Sequence, residues 1–141
     1  QARRNDWATP QPLFDRLNAE FRFVLDVCAT QGDTKCPSFY AADALSLPWN
    51  HHKDHAWSGW WFCNPPYGRA MGAWIKKGCE ERRGVMLIPA RTDVKWFHTH
   101  LWNQAQHEPR AGIELRFVKG RVKFEGAKSS APFPSMIVVI R

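Results

Sequence analysis

"WFCNPPYGRA", residues 61–70, is the stretch on which the reading of this chain turns. The residues leading into it, 57–63, are apolar and aromatic, as a strand buried on both faces would be. Pro65 and Pro66 then exclude any continuation. Neither offers a backbone N–H, and each holds the residue before it in an extended conformation. Beyond them, residues 70–83 place Met71, Trp74, Ile75 and Cys79 on one helical face, and Gly84 stands where a left-handed residue would close the helix. Residues 85–88 follow as a continuous apolar strand that stops at Pro89. The whole reads as a strand–helix–strand unit whose first strand ends on a rigid, polar-aromatic tip.

The flanking sequence extends the pattern. Thr9 and Pro10 suit an N-cap and a first-turn proline ahead of Leu13, Phe14, Leu17 and Phe21, giving a helix that ends near Glu20. Residues 23–29 read as a short buried strand and 39–41 as another, with Asp43-Ala44-Leu45 after it. His51-His52-Lys53-Asp54-His55 is a polar loop. Residues 93–102 suggest a second short helix and 104–112 a polar connection. Residues 113–118 alternate, as a strand with one wet face does. Lys119-Gly120 would turn that strand and Val122-Lys123-Phe124 return it, and 135–140 form a last buried strand. The expected class is one α/β domain over residues 1–141. Its mostly parallel sheet has helices on both faces and a C-terminal antiparallel hairpin.

At 141 residues the chain is long enough to bury a core, and 44% hydrophobic with 23% charged residues is the balance of a soluble globular protein. No apolar run reaches the length of a membrane span, and the first residues lack the apolar segment of a signal peptide, so a cytoplasmic location is expected. A net charge of +7 and a pI near 9.6 favour a polyanionic partner, nucleic acid above all. The eight tryptophans exceed what a core this size needs, so some are expected outside it.

Cys28, Cys36, Cys63 and Cys79 read as thiols, two of them within strand-like runs. With His51, His52 and His55 they would supply ligands for a zinc-binding module. No C-x2-C pair is present, however, and no metal is expected. A basic, aromatic-rich chain could also bind single strands without catalysis.

In a parallel sheet the carboxyl ends of the strands share one edge, where ligands bind. Here those ends carry Asp26, Asn64-Pro65-Pro66-Tyr67 and Pro89-Ala90-Arg91-Thr92-Asp93. The Asn64 side-chain oxygen and the Pro65 carbonyl can together accept from a planar amino group, while Tyr67 offers a ring to stack on. Such an amine is a poor nucleophile because its lone pair is delocalised. Two acceptors disfavour the flat geometry and stabilise the positive charge that develops as it attacks. A capped turn between strand and helix is the other reading of the same residues.

Asn64-Pro65-Pro66-Tyr67 resembles the catalytic motif of S-adenosylmethionine-dependent amino-group methyltransferases. With Asp6-Trp7-Ala8-Thr9-Pro10, residues 23–29 and Gly120-Arg121-Val122-Lys123-Phe124, it resembles the phage-type DNA N-6-adenine methyltransferase (Dam) family over nearly the whole chain. The resemblance implies a compact Rossmann-like methyltransferase fold without a separate target-recognition domain. It also implies S-adenosylmethionine as cofactor, and DNA methylation encoded by a phage or prophage in a bacterial host, as in restriction-modification. It would put Trp7, Thr9 and Pro10 against the methionine part of the cofactor, with Asp26, Cys28, Ala29 and Asn64 also facing it and Asp43 near its adenine. Asn64, Pro65, Pro66 and Tyr67 would hold a flipped-out target adenine. Cys28-Ala29-Thr30-Gln31-Gly32 replaces the usual glycine-rich turn, and the interval before the catalytic strand leaves little room for two further strands. Lys53, Arg69, Arg91, Arg121 and Lys123 are the candidate DNA contacts. RNA-guanine and protein-glutamine methyltransferases share the tetrapeptide, so those substrates stay open.

Overall fold

In chain order the elements of the computed structural model are α1 (Gln11–Phe21), β1 (Phe23–Asp26), β2 (Ser38–Phe39), a 3-10 turn (Ala44–Ser46), β3 (Trp60–Cys63), α2 (Met71–Glu81), β4 (Gly84–Pro89), a π-helical turn (Phe97–Leu101), β5 (Trp102–Asn103), β6 (Glu108–Pro109), β7 (Ile113–Phe117) and β8 (Ser135–Ile140). The structure describes residues 8–29, 34–50 and 59–141. Trp7, Lys53, His51, His52 and His55 lie outside the described residues.

β3 is the hub. It pairs in parallel with β1 on one side and β4 on the other, within a six-stranded sheet ordered β2-β1-β3-β4-β8-β7. β2 is parallel to β1, and only β8 runs against its neighbours β4 and β7. The protein is therefore a mixed α/β fold with a mostly parallel central sheet.

Successive side chains of β3 point to opposite faces, and each face has its own helix. Trp60 and Phe62 face α1. Phe62 meets Phe14 edge-on at 5.3 Å and Phe23 at 5.1 Å, while Trp60 meets Phe21 at 4.9 Å. Trp61 faces α2 and packs at 4.9 Å against Trp49, which lies against Trp74 of that helix. Trp49, Trp61 and Trp74 are buried, whereas Trp60, Trp96 and Trp102 are half-buried. Thus four of the six tryptophans among the described residues, Trp49, Trp60, Trp61 and Trp74, serve the two sheet faces.

Several local expectations are corrected. Thr9 does not cap α1: Pro10 holds that position in an extended conformation, and the threonine hydroxyl is engaged elsewhere. Gly84 does not close α2. Arg82 and Arg83 take the left-handed φ values of 64° and 65°, and Gly84 begins β4 instead. A glycine is needed there because a Cβ would fall onto the Trp61 indole, whose N–H donates to the Arg82 carbonyl at 2.7 Å. The second short helix over 93–102 is largely a π-helical turn, and the polar connection after it contains the β5–β6 hairpin.

The C-terminal hairpin is also corrected. β7 is paired along its length with β8, and Val122-Lys123-Phe124 forms no strand. Val122 and Phe124 alternate with polar residues because both side chains are buried beneath the 118–134 connection. Among the described residues between β1 and β3 there is one strand of two residues, β2.

Two checks follow. Gly84→Ala should cost about 1–3 kcal/mol in a denaturant titration, because the indole beneath it is itself fixed by packing. Glu81 accepts from the backbone N–H of Trp49 at 2.5 Å and of Asn50 at 3.0 Å. Burial acts to raise its carboxyl, but these bonds and Lys77 outweigh it and hold the group below its usual value of 4.5. A depressed carboxylate stabilises the fold above its unfolded pKa and loses that contribution as pH falls through the folded one. Stability of the wild type should therefore decline more steeply below about pH 4.5 than that of Glu81→Gln, measured by chemical denaturation at stepped pH.

Candidate active site

The strand order places a crevice before any side chain is considered. From β1 the chain goes to β2 on one side of the sheet, and from β3 it goes through α2 to β4 on the other. The connections thus diverge between β1 and β3, the switch point where open α/β sheets bind ligands at the carboxyl ends of their strands. Asp26 and Phe62 are register partners there, and Val27 N–H donates to the Phe62 carbonyl at 3.0 Å. Two residues further, past Cys63, Asn64 leaves the ladder, and the prolines forbid its resumption. Gly68, at φ 137°, then turns the chain into α2.

Asn64 is held from the N-terminal side of α1. Its Nδ2 donates to Thr9 Oγ1 at 3.0 Å, and Thr9 is only 6% exposed. With the amide nitrogen on Thr9, the buried Oδ1 lies on the side of the amide away from it. On the β1 side Asp26 is buried, with Oδ1 accepting from Cys28 N–H at 3.1 Å, while Ala29 N–H donates to the Tyr40 carbonyl at 3.1 Å. Asp43 follows β2 at the same edge, exposed and left-handed at φ 59°. The structure thus brings Thr9, Pro10, Asp26, Cys28, Ala29, Asp43 and Asn64-Pro65-Pro66 to one sheet edge.

Tyr67 is placed differently from an open stacking platform. It is 7% exposed, its hydroxyl donates to the Leu87 carbonyl of β4 at 3.2 Å, and Phe133 and Phe124 stand edge-on to its ring at 5.5 and 6.2 Å. Burial raises its phenol well above the usual tyrosine value, so it stays a neutral donor. The 118–134 connection that supplies both phenylalanines lies over this edge.

Glu125 was not singled out from the sequence, yet it ties three segments together here. Its N–H donates to the Ala8 carbonyl at 2.9 Å, Oε2 accepts from Gln11 N–H at 3.1 Å, and Oε1 pairs with Lys35 at 2.9 Å. No local signal marks a residue whose partners are 114 and 90 positions away.

None of the four cysteines is in a disulfide. Burial pushes the thiols of Cys36 and Cys63 up, and that of Cys79 to about 11, so these three are protonated at neutral pH and unsuited to nucleophilic attack. Among the described residues no three His, Cys, Asp or Glu side chains are grouped to hold a metal, and no helix is long and apolar enough to cross a membrane. Arg69 after β3 and Arg91 after β4 are exposed at the edge, as are Lys119, Arg121, Lys123 and Lys128 of the 118–134 connection.

A crevice lined by a tethered carboxamide, a buried carboxylate and proline carbonyls, and rimmed by cations, can hold a planar amine beside a cationic group and draw in an anionic polymer. The family model described as DNA N-6-adenine-methyltransferase (Dam) matches residues 1–141, the whole chain. No curated protein and no solved structure matches it.

Thr9→Val, which keeps the shape and removes the acceptor, should cost about 1–3 kcal/mol in stability by leaving the Asn64 amide hydrogen unsatisfied. Thr9→Ser should stay near wild type. Equal stability of the two variants would show that the bond contributes nothing.

Proposed function

The chain belongs to the DNA N-6-adenine-methyltransferase (Dam) family, and from that premise we propose that it carries a methyl group from S-adenosylmethionine to the N6 amino group of an adenine turned out of the DNA stack. The family is one of DNA adenine-N6 methyltransferases; the cofactor, the flipped base and the residue roles are the proposal. The observation that carries it is the Asn64 amide, tethered through its nitrogen to Thr9 at the switch point of the sheet.

The cofactor supplies a methyl group already activated on a sulfonium centre, so the protein has to position and shield rather than to activate. The residues at the β1 and β2 ends fit such a cation-bearing nucleoside: Asp26 and Asp43 bring negative charge, and Cys28 and Ala29 line the turn between them. Thr9 and Pro10 close the crevice from the α1 side, with Trp7 assigned there by the family motif. Asn64 Oδ1 and the Pro65 carbonyl accept the two N6 hydrogens, which disfavours the planar amine and stabilises charge on nitrogen as it attacks. Pro66 keeps the Pro65 carbonyl from turning away. Once methylated, the nitrogen releases one proton towards solvent.

Tyr67 serves as the aromatic wall of this pocket. Access of a base to its ring requires Phe124 and Phe133 to shift with the 118–134 connection. Arg69, Arg91, Arg121 and Lys123 receive phosphates along the edge, and Lys53 adds to them from its own segment. Base recognition then falls to these loops, and the enzyme works in the cytoplasm where the DNA lies.

Asn64→Ala should lower methyl transfer about 100-fold or more, the scale of losing a preorganised charge-stabilising group. Binding of S-adenosylmethionine, followed by calorimetry, should stay within a few-fold. Transfer from tritiated cofactor to adenine-containing DNA at the wild-type rate would refute the assignment.

A further inference from the structure

On the face of the sheet covered by α2, a second cavity opens at the carboxyl edge, three strand intervals from Asn64. It has a volume of about 240 Å3 and is lined by Thr92, Phe97, His98, Trp102, Gln104, Leu115 and Phe117. Two of its lining rings, Phe97 and Trp102, stack on each other with centroids 5.9 Å and planes 18° apart. Phe117, the last residue of β7, stands at its mouth 66% exposed, an unusual state for a phenylalanine at the end of a paired strand. His98 Nε2–H donates to the Thr92 carbonyl at 2.8 Å, so a neutral His98 carries its acceptor at Nδ1.

The charge around the mouth selects the occupant. Arg91 and Lys95 flank Thr92 in sequence, Arg110 donates to the His98 carbonyl at 2.6 Å, and Lys119 follows Phe117 by two residues; all four are exposed. Asp93 and Glu108 are the acidic residues nearby, so cations prevail. The volume is below the roughly 300–1,000 Å3 of pockets for drug-sized ligands and suits a single planar ring system. An aromatic lining, a few polar groups and a cationic rim are what an unstacked nucleobase requires.

We infer that this cleft receives a second base of the substrate DNA, stacked against Phe117, and so fixes the register in which the target adenine reaches Asn64. The inference rests on the proposal that DNA is the substrate. From β3 to β7 the sheet spans roughly 14 Å at about 4.8 Å per strand interval. With a rise of about 3.4 Å per base, the second base lies about four steps from the target.

The test compares wild type, Phe117→Ala and Phe117→Trp on duplexes that each carry one abasic position, walked outward from the target adenine. Binding is read by fluorescence anisotropy and methyl transfer with labelled S-adenosylmethionine. Phe117→Ala should raise Kd about tenfold or more while kcat at saturating DNA stays within twofold, and Phe117→Trp should restore binding. An abasic site about three to five steps from the target should abolish the difference between wild type and Phe117→Ala, and abasic sites elsewhere should preserve it. Unchanged binding by Phe117→Ala, or a defect equal on every duplex, overturns the inference. So does a loss of self-association in sedimentation with DNA binding intact, which would make the cleft a contact between copies. If wild type binds the duplexes without methylating them, the proposed function fails and the Kd comparison still decides the cleft. If wild type methylates and Phe117→Ala binds as tightly, the cleft alone fails.

Discussion

A strand bonded on both sides cannot run past a residue that has no N–H, and the site depends on that constraint. β3 lies between β1 and β4, and Pro65 stops both ladders at the point where the connections of the sheet diverge. The chain must leave the plane there. Asn64, the last residue before the stop, faces the resulting gap, and Thr9 fixes the orientation of its amide. Without the prolines the strand could extend and the crevice would narrow. Without the divergence between β1 and β3, an extended tip would have no crevice to face.

Everything else positions that tip. The aromatic layers on the two faces of β3 hold the strand against α1 and α2, and the close approach of Trp61 to Gly84 brings β4 alongside. α1 carries Thr9 and Pro10 to the edge, so the helix that covers one face also delivers the partner of Asn64. Glu125 draws the N-terminal segment, Lys35 and the 118–134 connection together at the same edge. That connection brings both the aromatic cover of Tyr67 and a run of exposed cations. One segment thereby covers the tyrosine ring and carries the exposed positive charge beside it.

Much of this was legible in the sequence because it is written in local chemistry. Continuous apolar runs marked β1, β3, β4 and β8, the prolines marked the tip, and the spacing of Met71, Trp74 and Ile75 marked α2. The misreadings share a cause: pairing across the sheet competes with local preference. Val122 and Phe124 alternate as strand residues do, yet β7 pairs with β8 instead, and both side chains are buried within the 118–134 connection, Phe124 edge-on to Tyr67. Gly84 sits where a C-terminal cap belongs, but its lack of a side chain answers to an indole 23 positions earlier, and two arginines take the strained turn. Thr9 has the chemistry of an N-cap and serves a carboxamide 55 positions away. The partners of Glu125, and the packing of the 92–104 segment against the end of β7 that forms the cleft at Phe117, lie outside any single window of sequence.

The central claim is that the strand end at Asn64 presents the N6 amine of adenine to an activated methyl group. The most direct measurement digests DNA to nucleosides after incubation with the protein and S-adenosylmethionine carrying an isotopically labelled methyl, and identifies the labelled product by mass spectrometry. The account predicts label in N6-methyladenine alone, lost with Asn64→Ala although the variant still binds the cofactor. Label in N4-methylcytosine, in RNA or in a protein glutamine, with none in N6-methyladenine, would contradict it.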